Sequence, residues 1–341
     1  MPSPQFLPPA DEAPASSAET RCELLASTKR GFTPVRHIFV QLPRDDKKPR
    51  APRGSVLGVL VSSHQERALD AYLLVLALEP ILGDHDPLHS AVWGRLMSDT
   101  GMQVGSVSRT WKQLVDRKLI TKVRRSGHAL VRPRREDGKA PYRRPGRATR
   151  DDTGGWPRGD WYFAIPHAYW LDGWDQKLSL PGKAMLMIAL KETGTSPSFW
   201  MRHEDARPWY GISADTAQRG LAELARDGLV QVFYQKIMAP KSPTGFTTRD
   251  HYTLRGAFST EARRAVQARA RAEAKRAESR KVTATKATST KAGARATVGK
   301  VGGSRVARPA AVTAIEPTVG RKVTATRKTA SRKRAVEQER G

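Results

Sequence analysis

Arg109 and Arg219 occupy the same place in two stretches of the chain that match one another at an offset of 110 residues. Ser106, Ser108, Lys112 and Gln113 surround the first, and Ser213, Thr216 and Gln218 surround the second. A guanidinium presents a fork of N–H donors, and a side-chain amide presents a donor beside an acceptor. Such groups suit planar partners that show two polar atoms on one edge, as guanine does to Arg and adenine to Gln. Hydroxyls near a helix start suit phosphate oxygens. Further along come Lys122, Arg124 and Arg125 in the first stretch and Lys236, Lys241 and Arg249 in the second, cations suited to a polyanion backbone.

Other chemistry is thinly supplied. His85 and His89 are four residues apart beside Asp84 and Asp86, but no third strong metal ligand accompanies them, and Asp86-Pro87 reads more simply as a helix start. Cys22 is the lone cysteine, so the chain has no internal disulfide and no cysteine-based zinc site. There is no glycine-rich phosphate loop, nucleophile elbow or His-Glu-x-x-His. Tyr210 has no activating group beside it in sequence. The expectation is a protein with no catalytic residues, no metal and no cofactor.

The elements that must position these donors follow from the repeat. Residues 101–120 lie over 211–230 without a gap, sharing Gly101/Gly211, Arg109/Arg219, Leu114/Leu224 and Leu119/Leu229. Val104, Val107, Trp111 and Leu114 recur as one helical stripe, and Ala214, Ala217, Leu221 and Leu224 repeat it. Upstream, residues 38–43 resemble 161–166, each a short strand closed by proline. An apolar helix follows in each copy, at 68–82 and at 180–193, the second capped by Ser179 with Pro181 in its first turn. Shorter helices are expected at 88–100 and 202–209. Strands then leave each long helix at 119–124 and 229–234, with return strands at 128–132 and 250–254. Six of the eight tryptophans fall between Trp156 and Trp209, where alternation suits a small core better than base stacking.

Strand, three helices and hairpin is the order of a winged helix-turn-helix. Residues 211–230 closely resemble the recognition-helix signature of that family. The match comprises the Gly211-Ile212-Ser213 turn, Thr216, the Leu221-x-x-Leu224 stripe and the Gly228-Leu229-Val230 exit. Ser213 is a good N-cap, Asp215 suits the first turn, and Gly228 suits a left-handed helix end. The first copy departs from the pattern: Gln103 stands for the cap serine and Lys118 for the terminal glycine, and its helix is expected to start at Ser106. The resemblance implies an α+β protein, mainly helical with small β wings, built as two tandem winged helices that read the major groove of double-stranded DNA. The layout is similar to bacterial, actinobacterial-type transcriptional regulators and to plasmid and phage replication initiators. The regulator is the first expectation and the initiator the alternative. A nucleoid-type architectural protein is a further alternative.

Charge sets the rest of the plan. The chain has 341 residues and a net charge of +27. Residues 262–341 hold 22 Lys or Arg, 5 Glu and no aromatic residue, a net of +17. Such a segment buries too little apolar surface to offset chain entropy and should bind any phosphate backbone. The expected organisation is a loose segment at 1–30, winged unit one at 31–134, a basic linker at 135–158, winged unit two at 159–258 and a disordered basic tail at 259–341, whose Ala/Arg/Glu-rich first part, 260–280, is compatible with a helix continuing from the last folded element. Unit one, with the weaker cap and the more apolar first helix, is the expected homodimer contact. No apolar run is long enough to span a bilayer, no secretory leader pattern opens the chain and no effector module is evident, so a cytoplasmic, nucleoid-associated protein is expected.

Overall fold

A computed structural model describes residues 15–44, 52–83, 87–98, 104–125, 127–146 and 158–297. Several expectations lie outside those residues: the first part of the loose N-terminus, Asp84, His85 and Asp86, the Gln103 cap, Trp156, the later part of the linker and the tail beyond Thr297.

The first half contains α1 (Ser17–Ser27), β1 (Phe32–Arg36), α2 (His37–Val40), α3 (Val56–Ser62), α4 (Glu66–Leu78), α5 (Ser90–Met97), α6 (Val104–Asp116), β2 (Ile120–Arg125) and β3 (His128–Pro133). The second contains β4 (Tyr162–Pro166), α7 (Ala168–Leu171), α8 (Trp174–Lys177), α9 (Leu180–Glu192), β5 (Ser198–Trp200), α10 (Ala206–Tyr210), α11 (Ala214–Arg226), β6 (Val230–Met238) and β7 (Phe246–Leu254). A last helix, α12 (Thr260–Thr297), follows. The described residues are mixed α and β, predominantly helical, with three small antiparallel sheets.

The 110-residue offset survives folding. α6 and α11 are both 13 residues long and superpose in number at that offset. The apolar helices α4 and α9, also 13 residues each, precede them. Ser179 caps α9 as its sequence suggests, accepting from the Gly182 amide, with Pro181 in the first turn. α6 begins at Val104, a half-turn before the expected Ser106.

The expected strand at 38–43 is instead α2, whose Ile38, Phe39 and Val40 are all buried. The strand lies just before it, at β1. It pairs antiparallel with β4, the strand that opens the second half, with Phe32 opposite Pro166, Pro34 opposite Ala164 and Arg36 opposite Tyr162. Pro34 hid this strand from the sequence; a two-stranded ribbon has only edges, where a missing N–H is tolerated. An antiparallel pair of equivalent strands has a local two-fold axis, here through the Pro34–Ala164 pair. The ladder extends symmetrically: the His37 amide donates to Trp161 O at 2.8 Å and the His167 amide to Gly31 O at 3.0 Å.

One hydrophobic core runs through both halves, from Phe39, Leu73 and Trp111 to Trp170, Leu186 and Leu224. The expected units at 31–134 and 159–258 therefore belong to one compact body, which extends to Val282. From Thr283 the chain belongs to a second unit, whose described part is the end of α12. Ion pairs to a buried lysine join elements of the two halves. Lys183 of α9 donates to Asp70 at 2.7 Å and Glu66 at 2.6 Å, both on α4. Burial raises the Asp70 carboxyl to about 7 against the opposing pull of Lys183.

Three expected flexible segments are partly built into this body. Residues 17–27 of the supposedly loose N-terminus form α1, because Ser16 and Glu19 make a reciprocal capping box. Its Arg21 and Leu25 are buried, and Arg21 Nε donates to Leu96 O at 3.1 Å. The first part of the linker folds back on the ribbon. Glu136, fully buried, accepts from the Arg36 amide at 3.1 Å and from its guanidinium at 2.9 Å. The tail opens as α12, whose Ala-, Arg- and Glu-rich sequence favours helix. Arg263 anchors it: the buried guanidinium donates to Leu190 O and Thr193 O, both at 3.0 Å, at the end of α9.

His37 and His167 flank the ribbon at equivalent places. Burial depresses each imidazole to about 4, aided by Lys191 near His37 and by Arg30 near His167. The folded state thus prefers both rings neutral, and stability present above pH 6.5 is lost as pH falls toward about 4. The loss should be of the order of 3 kcal/mol per ring at the acid end of that window. Urea unfolding at several pH values tests this. The H37Q/H167Q double variant should show a flatter acid limb than the parent; an identical limb would exclude the ribbon histidines as its cause.

Candidate nucleic-acid interface

α6 and α11 turn their apolar stripes inward. Val107, Trp111 and Leu114 are buried in α6, and Ala217, Leu221 and Leu224 in α11. Trp111 packs edge-on to Trp93 of α5, with ring centroids 5.0 Å apart. α11 crosses α9 closely because Gly220 lies against the Pro181 backbone, where a Cβ would collide. The turn before α11 is held from the first half. Ser55 Oγ donates to Tyr210 O at 3.0 Å, and Gly58 leaves no room for a side chain against the same carbonyl. Gly211 then takes φ 77°, reversing the chain into α11.

Both helices end in the same way. The Leu119 amide donates to Leu114 O at 2.9 Å and the Lys118 amide to Val115 O at 2.8 Å. In the second half the Leu229 amide donates to Leu224 O at 2.9 Å and the Gly228 amide to Ala225 O at 3.1 Å. This is the Schellman arrangement, and its left-handed residue is Gly228 at φ 73° in one copy and Lys118 at φ 59° in the other. The hairpin therefore leaves each helix along the same path, although only one copy has the glycine.

The outward faces carry the expected donors. Ser108, Arg109, Lys112 and Gln113 are exposed on α6, with Ser106 half-buried. Arg109 donates to Ser106 Oγ at 3.3 Å. On α11, Gln218 and Arg219 are exposed and Thr216 is half-buried. Arg219 pairs with Asp215 one turn earlier at 3.0 Å. An exposed pair of this spacing is worth about 0.3–0.5 kcal/mol, against about 1–3 kcal/mol for a bidentate guanine contact. The pair holds Arg219 on the outward face without locking it there. Ser213 is the exception among the expected contacts. Its hydroxyl accepts from the Thr216 amide at 3.1 Å and meets the Thr216 hydroxyl at 2.8 Å, so its first task is to cap α11.

The hairpin cations divide between faces. Lys122 and Arg124 alternate with Arg125 along β2, so Arg125 points to the opposite side. In the second hairpin Lys236 lies over the Phe246 ring at 4.2 Å, and Arg249 lies over the Trp200 ring at 3.9 Å. Lys236 and Arg249 occupy opposite faces of the sheet, and Lys241 is exposed in the connecting turn. The second hairpin is the longer, with strands of 9 residues against 6 in the first.

The sequence missed the exposed aromatic residues on the two faces of the β5–β7–β6 sheet. Trp200, Phe233, Tyr234 and Phe246 are exposed, whereas Trp170 takes the core place expected of the tryptophan group. The adjacent Phe233 and Tyr234 are the signal in sequence, since a half-buried strand cannot bury two neighbours. Two other candidate residues have partners within the fold. His89 accepts from the Ala91 amide and caps α5, and its ring lies 4.7 Å from that of His128. Among the described residues no group of three potential ligands could hold a metal. Tyr210 is buried and donates to Glu192 Oε1 at 2.6 Å; burial pushes its pKa up, which disfavours a phenolate nucleophile. A cavity of about 1330 Å³ opens between α12 and the β1–β4 ribbon, and no residue of α6, α11 or either long hairpin lines it. Among the described residues no helix is long and apolar enough to cross a membrane. Comparison with protein-family models, curated proteins and solved structures finds no match.

The left-handed exit gives a stability test. K118G should stabilise the protein by about 0.5–1 kcal/mol, because a side chain in that conformation is strained. G228A should destabilise it by about 1 kcal/mol for the converse reason. Denaturant midpoints of the two variants should therefore move in opposite directions.

Proposed function

We propose that the chain is a tandem winged helix-turn-helix protein that binds double-stranded DNA sequence-specifically, acting as a bacterial transcriptional regulator. One observation carries the reading. Two 13-residue helices with outward arginines at the same repeat position each run through the same left-handed exit into a hairpin bearing exposed cations. In this reading α6 and α11 enter the major groove. Arg109, Gln113, Gln218 and Arg219 read base edges, while Ser106, Ser108, Lys112 and Thr216 hold phosphates. The hairpins lie along the backbone through Lys122, Arg124, Arg125, Lys236 and Lys241. The basic segment at 262–341 adds affinity without sequence preference.

The shared core and the two-fold ribbon support a particular form of target. The two reading helices belong to one body, so their separation is set by packing and not by a flexible linker. A composite site of fixed spacing, with related half-sites, suits such a body better than two independent short sites.

Selection of bound duplexes from a random pool by the full-length protein tests the proposal. A single composite motif is expected. R109A and R219A should each lose about 1–3 kcal/mol on that motif and relax preference at one position, with little change on random duplex. Removal of residues 283–341 should weaken all duplexes alike and flatten the salt dependence. Selection that returns no motif would replace this reading with that of an architectural DNA-binding protein. Motifs iterated beside an origin, in place of promoters, would replace the regulator with a replication initiator.

A further inference from the structure

We infer that the outward face of the β5–β7–β6 sheet is a stacking platform for single-stranded nucleic acid, separate from the two duplex-reading helices. The register defines the face. His251 of β7 lies directly opposite Trp200 of β5 on one side and Phe233 of β6 on the other. Directly opposed residues of an antiparallel sheet point to the same face, so three rings form one row across three strands, about 4.8 Å from strand to strand. The next residue, Tyr252, lies opposite Phe199 and Val232; it is buried, with its ring centroid 5.4 Å from that of Phe199. That is the core side, so the Trp200–His251–Phe233 row faces away from the core. Trp200 is 38% exposed and Phe233 47%.

The polar groups on this face complete the case. The Arg249 guanidinium lies 3.9 Å over the Trp200 ring, and His251 Nε2 meets Gln235 Oε1 at 2.8 Å. The outward positions of the three strands hold no Asp or Glu. The opposite face of the same hairpin does carry an acid, Asp250, paired across from Tyr234. Exposed rings beside the Arg249 guanidinium, with carboxylates excluded, complement a polymer that alternates flat π faces with phosphates. A protein surface rich in carboxylates or in aliphatic side chains would make poorer use of that combination.

A duplex hides the faces of its bases in the stack and offers only their edges, which is what α6 and α11 are suited to meet. An unpaired strand offers the faces themselves. Stacking on aromatic rings is tolerant of sequence and adds to backbone attraction by cations. Trp200 and Phe233 are the platform and Arg249 is the phosphate-side cation, held in place by its own stack on Trp200.

Fluorescence anisotropy of a labelled oligothymidylate of about 20 nucleotides tests the assignment on the full-length protein. Salt of about 0.3 M suppresses the contribution of the basic tail. Under these conditions W200A/F233A should lose ten-fold or more of the parent's affinity for the single strand, W200F/F233Y should keep it, and affinity for a duplex of equal length should not change. Equal single-strand binding by W200A/F233A and parent would overturn the inference. So would a parallel loss on duplex, which would make the face part of the duplex interface. A change in sedimentation with unaltered oligonucleotide binding would also overturn it, assigning the face to a second copy of the chain.

Discussion

The β1–β4 ribbon is the contact on which the rest of the architecture depends. One strand belongs to each half of the molecule, and among the described residues neither has another strand partner, so each half supplies the ladder that the other's strand needs. The ribbon also fixes the seam chemically. Arg36 at the end of β1 pairs with Glu136 at 2.9 Å and with Asp160 at 2.9 Å, and donates to Arg143 O. A fully buried carboxylate such as Glu136 is costly to desolvate, and burial alone would favour its neutral form. Removing one partner of such a pair commonly costs about 3–5 kcal/mol, because the other charge is left buried. The pair therefore specifies this arrangement of ribbon and linker more than it adds stability. Lys183 with Asp70 and Glu66 does the same between α4 and α9.

From that seam the placement of the outward helices follows step by step. α4 and α9 are apolar nearly all round because they are the shared interior; Leu69, Leu73 and Leu76 of one and Met185, Leu186 and Ile188 of the other are fully covered. α6 and α11 pack on this interior by one stripe and leave the opposite face to water. Small residues set the distances. Gly220 lets α11 approach α9, and Gly58 lets α3 approach the turn that launches α11. The second of these contacts crosses from one half to the other, so the orientation of the second outward helix depends on a glycine in the first half.

How much of this was legible in sequence depends on the range of the signal. Local signals were clear: the α6 and α11 stripes, the Ser179 cap, the Gly228 exit and the hairpin strands all appear where their residues place them. Pairing between distant segments was not. Nothing within residues 32–36 announces a strand, since Pro34 interrupts it, and only β4 gives it a partner. Composition also misled where a few residues outweigh many. The first thirty residues look loose because they are rich in proline and small polar residues, yet Ser16 and Glu19 suffice to start α1. Glu136 lies in a stretch that reads as a charged linker and is fully buried, because its partner Arg36 is 100 residues away. The outward donors of α6 and α11 were legible because helical periodicity alone decides their face. The Trp200–Phe233 row was not, because β5 joins the sheet only through a long-range pairing with β7.

The two outward surfaces differ in a way that follows from their secondary structure. A helix spaces its exposed side chains around a narrow rod, so long flexible donors such as Arg109 and Arg219 can reach into a groove while the backbone stays clear. A sheet places neighbouring side chains about 4.8 Å apart on a broad surface, so rigid rings such as those of Trp200 and Phe233 can lie side by side. Each surface suits the part of a nucleic acid that the other cannot address: edges for the helices and faces for the sheet. Three residues separate the end of α11 from β6, whose first residue, Val230, is in the core while Phe233 is outside it. The same short exit that fixes the helix against the core thus fixes the sheet beside it. If the helices read duplex edges as proposed and the sheet stacks unpaired bases, one body would hold both surfaces, and the DNA it fits would be one where paired and unpaired segments adjoin.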